Sequence, residues 1–249
     1  MKKFMRILMA MTMVSIMMCG VVSASPFNLN RPYGDIFSNP NEPNLQNIFD
    51  ERVKGLDAVA DQSNAAIWTS TEADVDSYLV SALRGHNGTL GVYSYATGAE
   101  YDFSFEKSTA SFLINDAGAL WFDKGGVDIE EIDPNFGHAF GFYWENTTAN
   151  TISYTEDSKN NGNILALAYH LDAGTEVNPI VAGGFSTDAT GDDWILAFED
   201  LPNGDHDFND AVFYIEDISA VPEPSTVVLF GIGLLGLIGL QRQRKIKKN

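Results

Sequence analysis

Residues 194–217 read "WILAFEDLPNGDHDFNDAVFYIED". Two apolar runs rich in aromatic and β-branched residues, at 194–199 and 211–216, flank a connection dense in Pro, Asn, Gly and Asp. Runs of that length bounded by turn residues read as strands. Being close in sequence, the two pair as an antiparallel hairpin. The same texture fills the chain upstream: "AIW", "SYLVSAL", "TLGVYSY", "YDFSF", "ASFLI", "ALWFD", "HAFGFYW", "ISYTE", "ILALAYHL" and "PIVAGGF". Gly, Asn and Asp interrupt these runs at intervals of about 8–12 residues, the spacing of a sandwich or barrel. The expected fold is mainly β, a β-sandwich or jelly-roll-like body. Residues 78–83 also fit a helix. "GVYSY" and "GFYWEN" open alike, as two strands meeting the same core would.

Ahead of the strands, Leu45, Ile48, Phe49, Val53 and Leu56 fall at helical spacing and predict one short N-terminal helix. Residues 25–43, rich in Pro and Asn, read as an extended lead-in. A β-rich part spans 44–136, followed by an acidic β stretch over 137–218; together they make one large or two small domains.

The connection carries the chemistry. Within 199–210, Glu199, Asp200, Asn203, Asp205, Asp207, Asn209 and Asp210 all offer side-chain oxygen. In an extended chain Asp205, Asp207 and Asn209 share one face, with Phe208 on the other. In a curled chain the same three converge like the first ligands of a calcium loop. An EF-hand is excluded, because Asp210 stands where glycine is required and no helices flank the loop. Carboxylates about 4 Å apart near a surface repel by a few kcal/mol, and Pro202 with Gly204 makes wide separation harder. Hard oxygen donors select Ca²⁺ over zinc or copper. The expected metal ligands are Glu199, Asp200, Asp205, Asp207, Asn209 and Asp210; a solvated turn held by Asx and capping bonds is the alternative. "DIEEID" (128–133) reads as a solvated face, and Asp188, Asp192 and Asp193 as an ordinary turn that could approach the loop. His86, His138, His170 and His206 lack paired-ligand spacing, and His206 is expected to face solvent.

Both ends read as export devices. Lys2, Lys3 and Arg6, an apolar stretch from Ile7 to Cys19, and Val22-Ser23-Ala24 form the pattern of a signal peptide over 1–24, cut between Ala24 and Ser25. An uncleaved anchor is the alternative. Cys19 is the only cysteine, so the exported body has no disulfide and depends on its core or bound ions. Near the other end, Val227–Leu240 is uncharged and apolar, and Arg242, Arg244, Lys245, Lys247 and Lys248 follow. These fourteen residues reach about 21 Å as a helix, a short span whose basic flank stays cytoplasmic. The body would then lie outside, as the signal peptide also requires.

Between these ends, residues 25–220 hold seven Lys and Arg against 33 Asp and Glu, a net charge of −26. Such a field repels phosphate backbones and excludes nucleic acid as a partner. It suits calcium, which lowers self-repulsion by coordination. No nucleophile elbow, phosphate loop or dinucleotide fingerprint is present, so the chain is read as a non-enzyme. Paired carboxylates leave glycoside hydrolysis as a remote alternative. Trp68, Trp121, Trp144 and Trp194 could form a sugar-stacking platform, though aromatics on strands more often fill cores.

Two resemblances follow from these residues. Pro222-Glu223-Pro224, the short Gly/Leu-rich span and the basic cluster together resemble the PEP-CTERM sorting signal, over 221–249. That resemblance implies processing near the triplet by an exosortase-type enzyme, a transient inner-membrane anchor, and delivery to the cell surface or an exopolysaccharide matrix. A permanent single-pass anchor is the alternative. Residues 137–218 resemble the domain of unknown function 4114, through "FGFYWEN", Phe198-Glu199-Asp200-Leu201 and Asp205-x-Asp207-x-Asn209-Asp210. The resemblance suggests an acidic, calcium-binding β module and assigns no activity. A polysaccharide-binding module is the second functional reading.

Overall fold

The computed structural model describes residues 28, 30–34, 36, 42–71, 75–82, 88–103, 109–123, 129–180 and 185–221. The signal segment, the processing residues Ala24, Ser25, Pro222, Glu223 and Pro224, and the apolar run 227–240 lie outside the described residues. Residues 26–222 make one compact unit.

Helix α1 (Leu45–Arg52) begins at Asn44, whose side chain accepts from the Asn47 N–H while Asn47 Oδ1 accepts from the Asn44 N–H. This reciprocal capping box satisfies donors that a helix start leaves unpaired. Leu45, Ile48 and Phe49 are buried. The helix stops short of Leu56 because Val53 is extended and bridges Val177, and Gly55 turns the chain at φ 82°.

Strands form two large sheets and a small ribbon. The eight-stranded sheet has the order β1 (Gln62–Ser63), β11 (Ala166–His170), β14 (Trp194–Phe198), β15 (Ala211–Ile215), β3 (Val75–Ala82), β6 (Thr109–Ile114), β7 (Leu120–Asp123), β8 (Ile129–Asp133). The six-stranded sheet runs β16 (Ile218–Ala220), β2 (Trp68–Ser70), β9 (Phe140–Asn146), β4 (Gly88–Ser94), β5 (Glu100–Phe103), with β10 (Thr151–Tyr154) also paired to β9. β12 (Glu176–Val177) and β13 (Thr187–Asp188) pair alone. Among the described residues the fold is mainly β with one short helix, and neither large sheet closes on itself. Residues 78–82 are strand, not helix. "PIVAGGF" (179–185) contributes no named strand among its described residues, although the Ile180 N–H donates to Leu79 O.

The hairpin strands β14 and β15 are buried at every position and so lack polar alternation. Trp194, Leu196, Phe198, Ala211, Phe213 and Ile215 enter the cluster between the large sheets, beside Trp68, Phe140 and Phe142. Ile195, Ala197, Val212 and Tyr214 enter a second cluster with Leu45, Phe49 and Phe208. Both faces are covered, so both must be apolar. Strands from 44–136 and 137–218 interleave: β3 lies between β15 and β6, and β2 between β16 and β9.

The two similar stretches meet directly. β4 and β9 pair so that Gly91 faces Tyr143 and Tyr93 faces Gly141. A Cβ on Gly91 would lie 2.1 Å from the Tyr143 ring, and one on Gly141 2.3 Å from the Tyr93 ring. Each tyrosine thus lies flat over the opposite strand's glycine, which is why the sequences open alike.

Candidate metal centre

β14 and β15 pair antiparallel from Trp194↔Ile215 to Phe198↔Ala211, leaving 199–210 as the connection. Its entry is fixed to the six-stranded sheet. Ser153 Oγ donates to Glu199 O (2.6 Å), Thr151 Oγ1 to Asp200 O (2.8 Å), and Asn146 Nδ2 to Asp200 Oδ2 (2.8 Å). Across the loop, the Asp200 N–H donates to Asp210 Oδ2 (2.9 Å). The Gly204 N–H donates to Leu201 O and closes the tip.

The exit half neither stays extended nor curls like a helix-flanked calcium loop. His206 and Phe208 take φ of 57° and 53°, a left-handed region that costs a non-glycine residue about 1–2 kcal/mol. Packing holds them there. Phe208 is fully buried, its ring edge-on to Tyr33 at 5.3 Å, and His206 tilts against the same tyrosine at 6.1 Å. His206 is therefore half-buried rather than pointing to solvent, and its Nδ1 is enclosed without a partner. Asn209 Nδ2 donates to Asp207 Oδ2 (2.5 Å) and to Pro43 O (2.8 Å). The lead-in thereby clamps the loop.

The turns gather carboxylates in two groups. Oxygens of Glu199, Asp207 and Asp210 lie within 4.8 Å of one another, as do those of Glu42, Asp205 and Asp207. Asp207 is common to both. Of the six residues expected as ligands, Glu199, Asp207 and Asp210 converge; Asp205 joins only the outer group. Asp200 and Asn209 are buried beside these groups and bonded to Asp210, Asn146, Asp207 and Pro43. Glu42 was not expected, because nothing local in the sequence ties it to a loop more than 150 residues away; only the fold does.

Glu199 is 1 % exposed, and its Oε2 has no hydrogen-bond partner. Gly204 makes room for the other oxygen: a Cβ there would lie 1.9 Å from Glu199 Oε1. Burial, then the charges of Asp210, Asp207, Asp205 and Asp200, push the Glu199 carboxyl up to about 8. Burial raises Asp207 to about 6, with the Asn209 bonds opposing it. Asp210 is also raised, chiefly by burial, against the bond from the Asp200 N–H. Three such groups must either hold protons or share a cation. Oxygen donors without His or Cys fit a hard ion such as Ca²⁺.

Other acids stay apart. Asp193, at the opposite end of β14, is buried and accepts from the Thr190 N–H, Thr190 Oγ1, the Tyr214 hydroxyl and the Asp217 N–H. It is a structural anchor. Glu130 and Glu131 lie exposed on β8, an edge strand. Trp68, Trp144 and Trp194 are core residues and form no sugar-stacking surface, while Trp121, on β7, is half-buried.

Residues 135–217 match the family model described as domain of unknown function (DUF4114), and residues 220–245 match the PEP-CTERM protein-sorting motif. No curated protein and no solved structure matches the chain. The sorting motif implies export, with a C-terminal membrane anchor before processing by an exosortase-type enzyme. No helix among the described residues is long and apolar enough to cross a membrane. The chain thus carries a DUF4114-like module over about a third of its length, followed directly by a PEP-CTERM sorting motif.

Proposed function

We propose that this is a non-enzymatic cell-surface or matrix protein whose β-sandwich body is stabilised by Ca²⁺ held between Glu199, Asp207 and Asp210. The observation that carries the reading is Glu199: a carboxylate 1 % exposed, with an unpartnered oxygen, among two other carboxylates. An isolated buried charge costs several kcal/mol, and a cation offsets that cost. The carboxylates supply part of a six-to-eight-oxygen shell, and water or carbonyl groups supply the rest. Bound there, the ion would tie β14 to β15 across the loop that joins them, in a body without disulfides.

The test is thermal unfolding of residues 25–220 in millimolar Ca²⁺ and in chelator. A ligand at 100 times its Kd adds about 2.7 kcal/mol, or a rise of about 5–10 °C for a domain of this size. Equal midpoints would sink the calcium reading.

A second reading, binding of the surrounding exopolysaccharide, draws support from one groove. A groove of about 610 Å³ is lined by Thr69, Ser70, Thr71, Asn115, Asp116 and His138 together with Leu113 and Ile114. Hydroxyl, amide and imidazole groups beside apolar side chains suit a sugar ring. Its lining includes one carboxylate, Asp116, whereas glycoside hydrolysis ordinarily uses two. Titration with the producing organism's exopolysaccharide, read by a thermal shift that His138→Ala removes, distinguishes this reading; no shift rejects it.

A further inference from the structure

Residues 217–221 are woven into the body up to the last described position. The Thr71 N–H donates to Asp217 O (2.8 Å), the Ile218 N–H to Asp192 O (2.9 Å), and the Val221 N–H to Ile67 O (3.0 Å). Trp194 Nε1–H donates to Ile218 O (3.0 Å). β16 pairs β2 in the register Ile218↔Ser70, Ser219↔Thr69, Ala220↔Trp68. Ile218 is fully buried, and Val221 packs against the Tyr93–Tyr143 cluster. The sorting-motif match begins at residue 220, so its first residue, Ala220, belongs to the folded sheet. Pro222-Glu223-Pro224 follows at once.

Cleaving or transferring a peptide bond requires an enzyme to hold the chain on both sides of it. Clefts that take extended peptides do so through main-chain hydrogen bonds. Each backbone N–H and C=O satisfies one partner set at a time. Along residues 217–221, Asp217 O and the Val221 N–H are taken by Thr71 and Ile67, while the Ile218 N–H and C=O are taken by Asp192 and Trp194, so this stretch cannot serve the body and such a cleft together. There is no slack to avoid the conflict. Five residues, 222–226, separate Val221 from the apolar run that begins at Val227. Fully extended, they reach at most about 18 Å.

We propose that β16 is the presenting element of the sorting step: it leaves β2 and pairs with the peptide cleft of the processing enzyme, so the docked strand restrains processing. This rests on reading the tail as an exosortase-type substrate. In the step, the peptide bond at the triplet breaks and its carbonyl passes to water or an amine acceptor. The proton of that acceptor goes to the nitrogen of the departing tail. As a three-residue strand at a sheet edge, β16 can leave without breaking any other pairing of the six-stranded sheet.

Thr69 and Ser219 are direct cross-strand partners, and both side chains reach the surface. Opposed Cα atoms in an antiparallel pair lie about 4.5–5.5 Å apart, within disulfide range. Cys19 is the only native cysteine, so the body contains no competing thiol. The full-length chain carrying Thr69→Cys and Ser219→Cys is expressed in its own cells, and precursor and product are separated by size. Loss of processing is expected, with recovery on reduction or on insertion of a Gly/Ser linker between Val221 and Pro222. Ile218→Ala, which loosens the strand, should speed processing. Wild-type processing of the cross-linked chain overturns the proposal, and so does failure of the linker to restore it. If the unaltered chain shows no size change between cells with and without the processing enzyme, the reading of the tail fails and the proposal goes with it.

Discussion

Glu199 is where this body is most exposed to a single change. With its carboxyl raised from 4.5 to about 8, folding at neutral pH must retain a proton or meet a cation. Glu199→Gln removes that demand. The metal-free variant should be more stable than wild type at pH 7.5, by on the order of 1–3 kcal/mol, and its melting point should no longer respond to calcium. Gly204→Ala acts on the same carboxylate from the opposite side. Its methyl would occupy the space of Glu199 Oε1, so calcium affinity should fall although no ligand is lost; isothermal titration decides it. The residue types of the cluster were legible in "EDLPNGDHDFND". Their separate roles were not, because left-handed backbone at His206 and Phe208 is set by Tyr33 and the second core. Neither residue type announces it.

Among elements, the hairpin of β14 and β15 was the most legible, since two uninterrupted apolar runs around a turn-rich connection leave few other arrangements. The helix was legible from its spacing, but its end was not. Val53 obeys a bridge to Val177, more than 120 residues away. The Gly–Tyr clasps between β4 and β9 show how element pairing hides in ordinary residues. Gly141→Ala forces the buried Tyr93 ring aside, and overpacking of this kind costs about 1–3 kcal/mol. Urea unfolding should show a lower midpoint at an unchanged slope, because the surface exposed on unfolding stays the same.

For the whole molecule, buried acids set an uncommon pH dependence. Glu199 rises from 4.5 to about 8, Asp207 from 3.8 to about 6, and Glu216, chiefly through burial, from 4.5 to about 7. In each case the folded state holds a proton that the unfolded state has released. Their contribution is complete below about pH 4 and is lost as pH rises toward 8, by up to about 1.4 kcal/mol per unit and group. Metal-free protein should therefore melt lower at pH 8 than at pH 5. Calcium should reverse the trend, because protons compete for the same oxygens. Paired melts across that range, with calcium and with chelator, test both signs.

The order of strands has a consequence for how the chain is exported. The eight-stranded sheet is bridged at its centre by β15, which joins β14 to β3, and the six-stranded sheet ends on β16. Both come from the last stretch before the sorting motif, so the early strands have no finished sheet to join until nearly the whole body has emerged. Sheets built from such distant partners form slowly. During synthesis and passage through the membrane, the chain would stay threadable, and its architecture would be completed only on the far side.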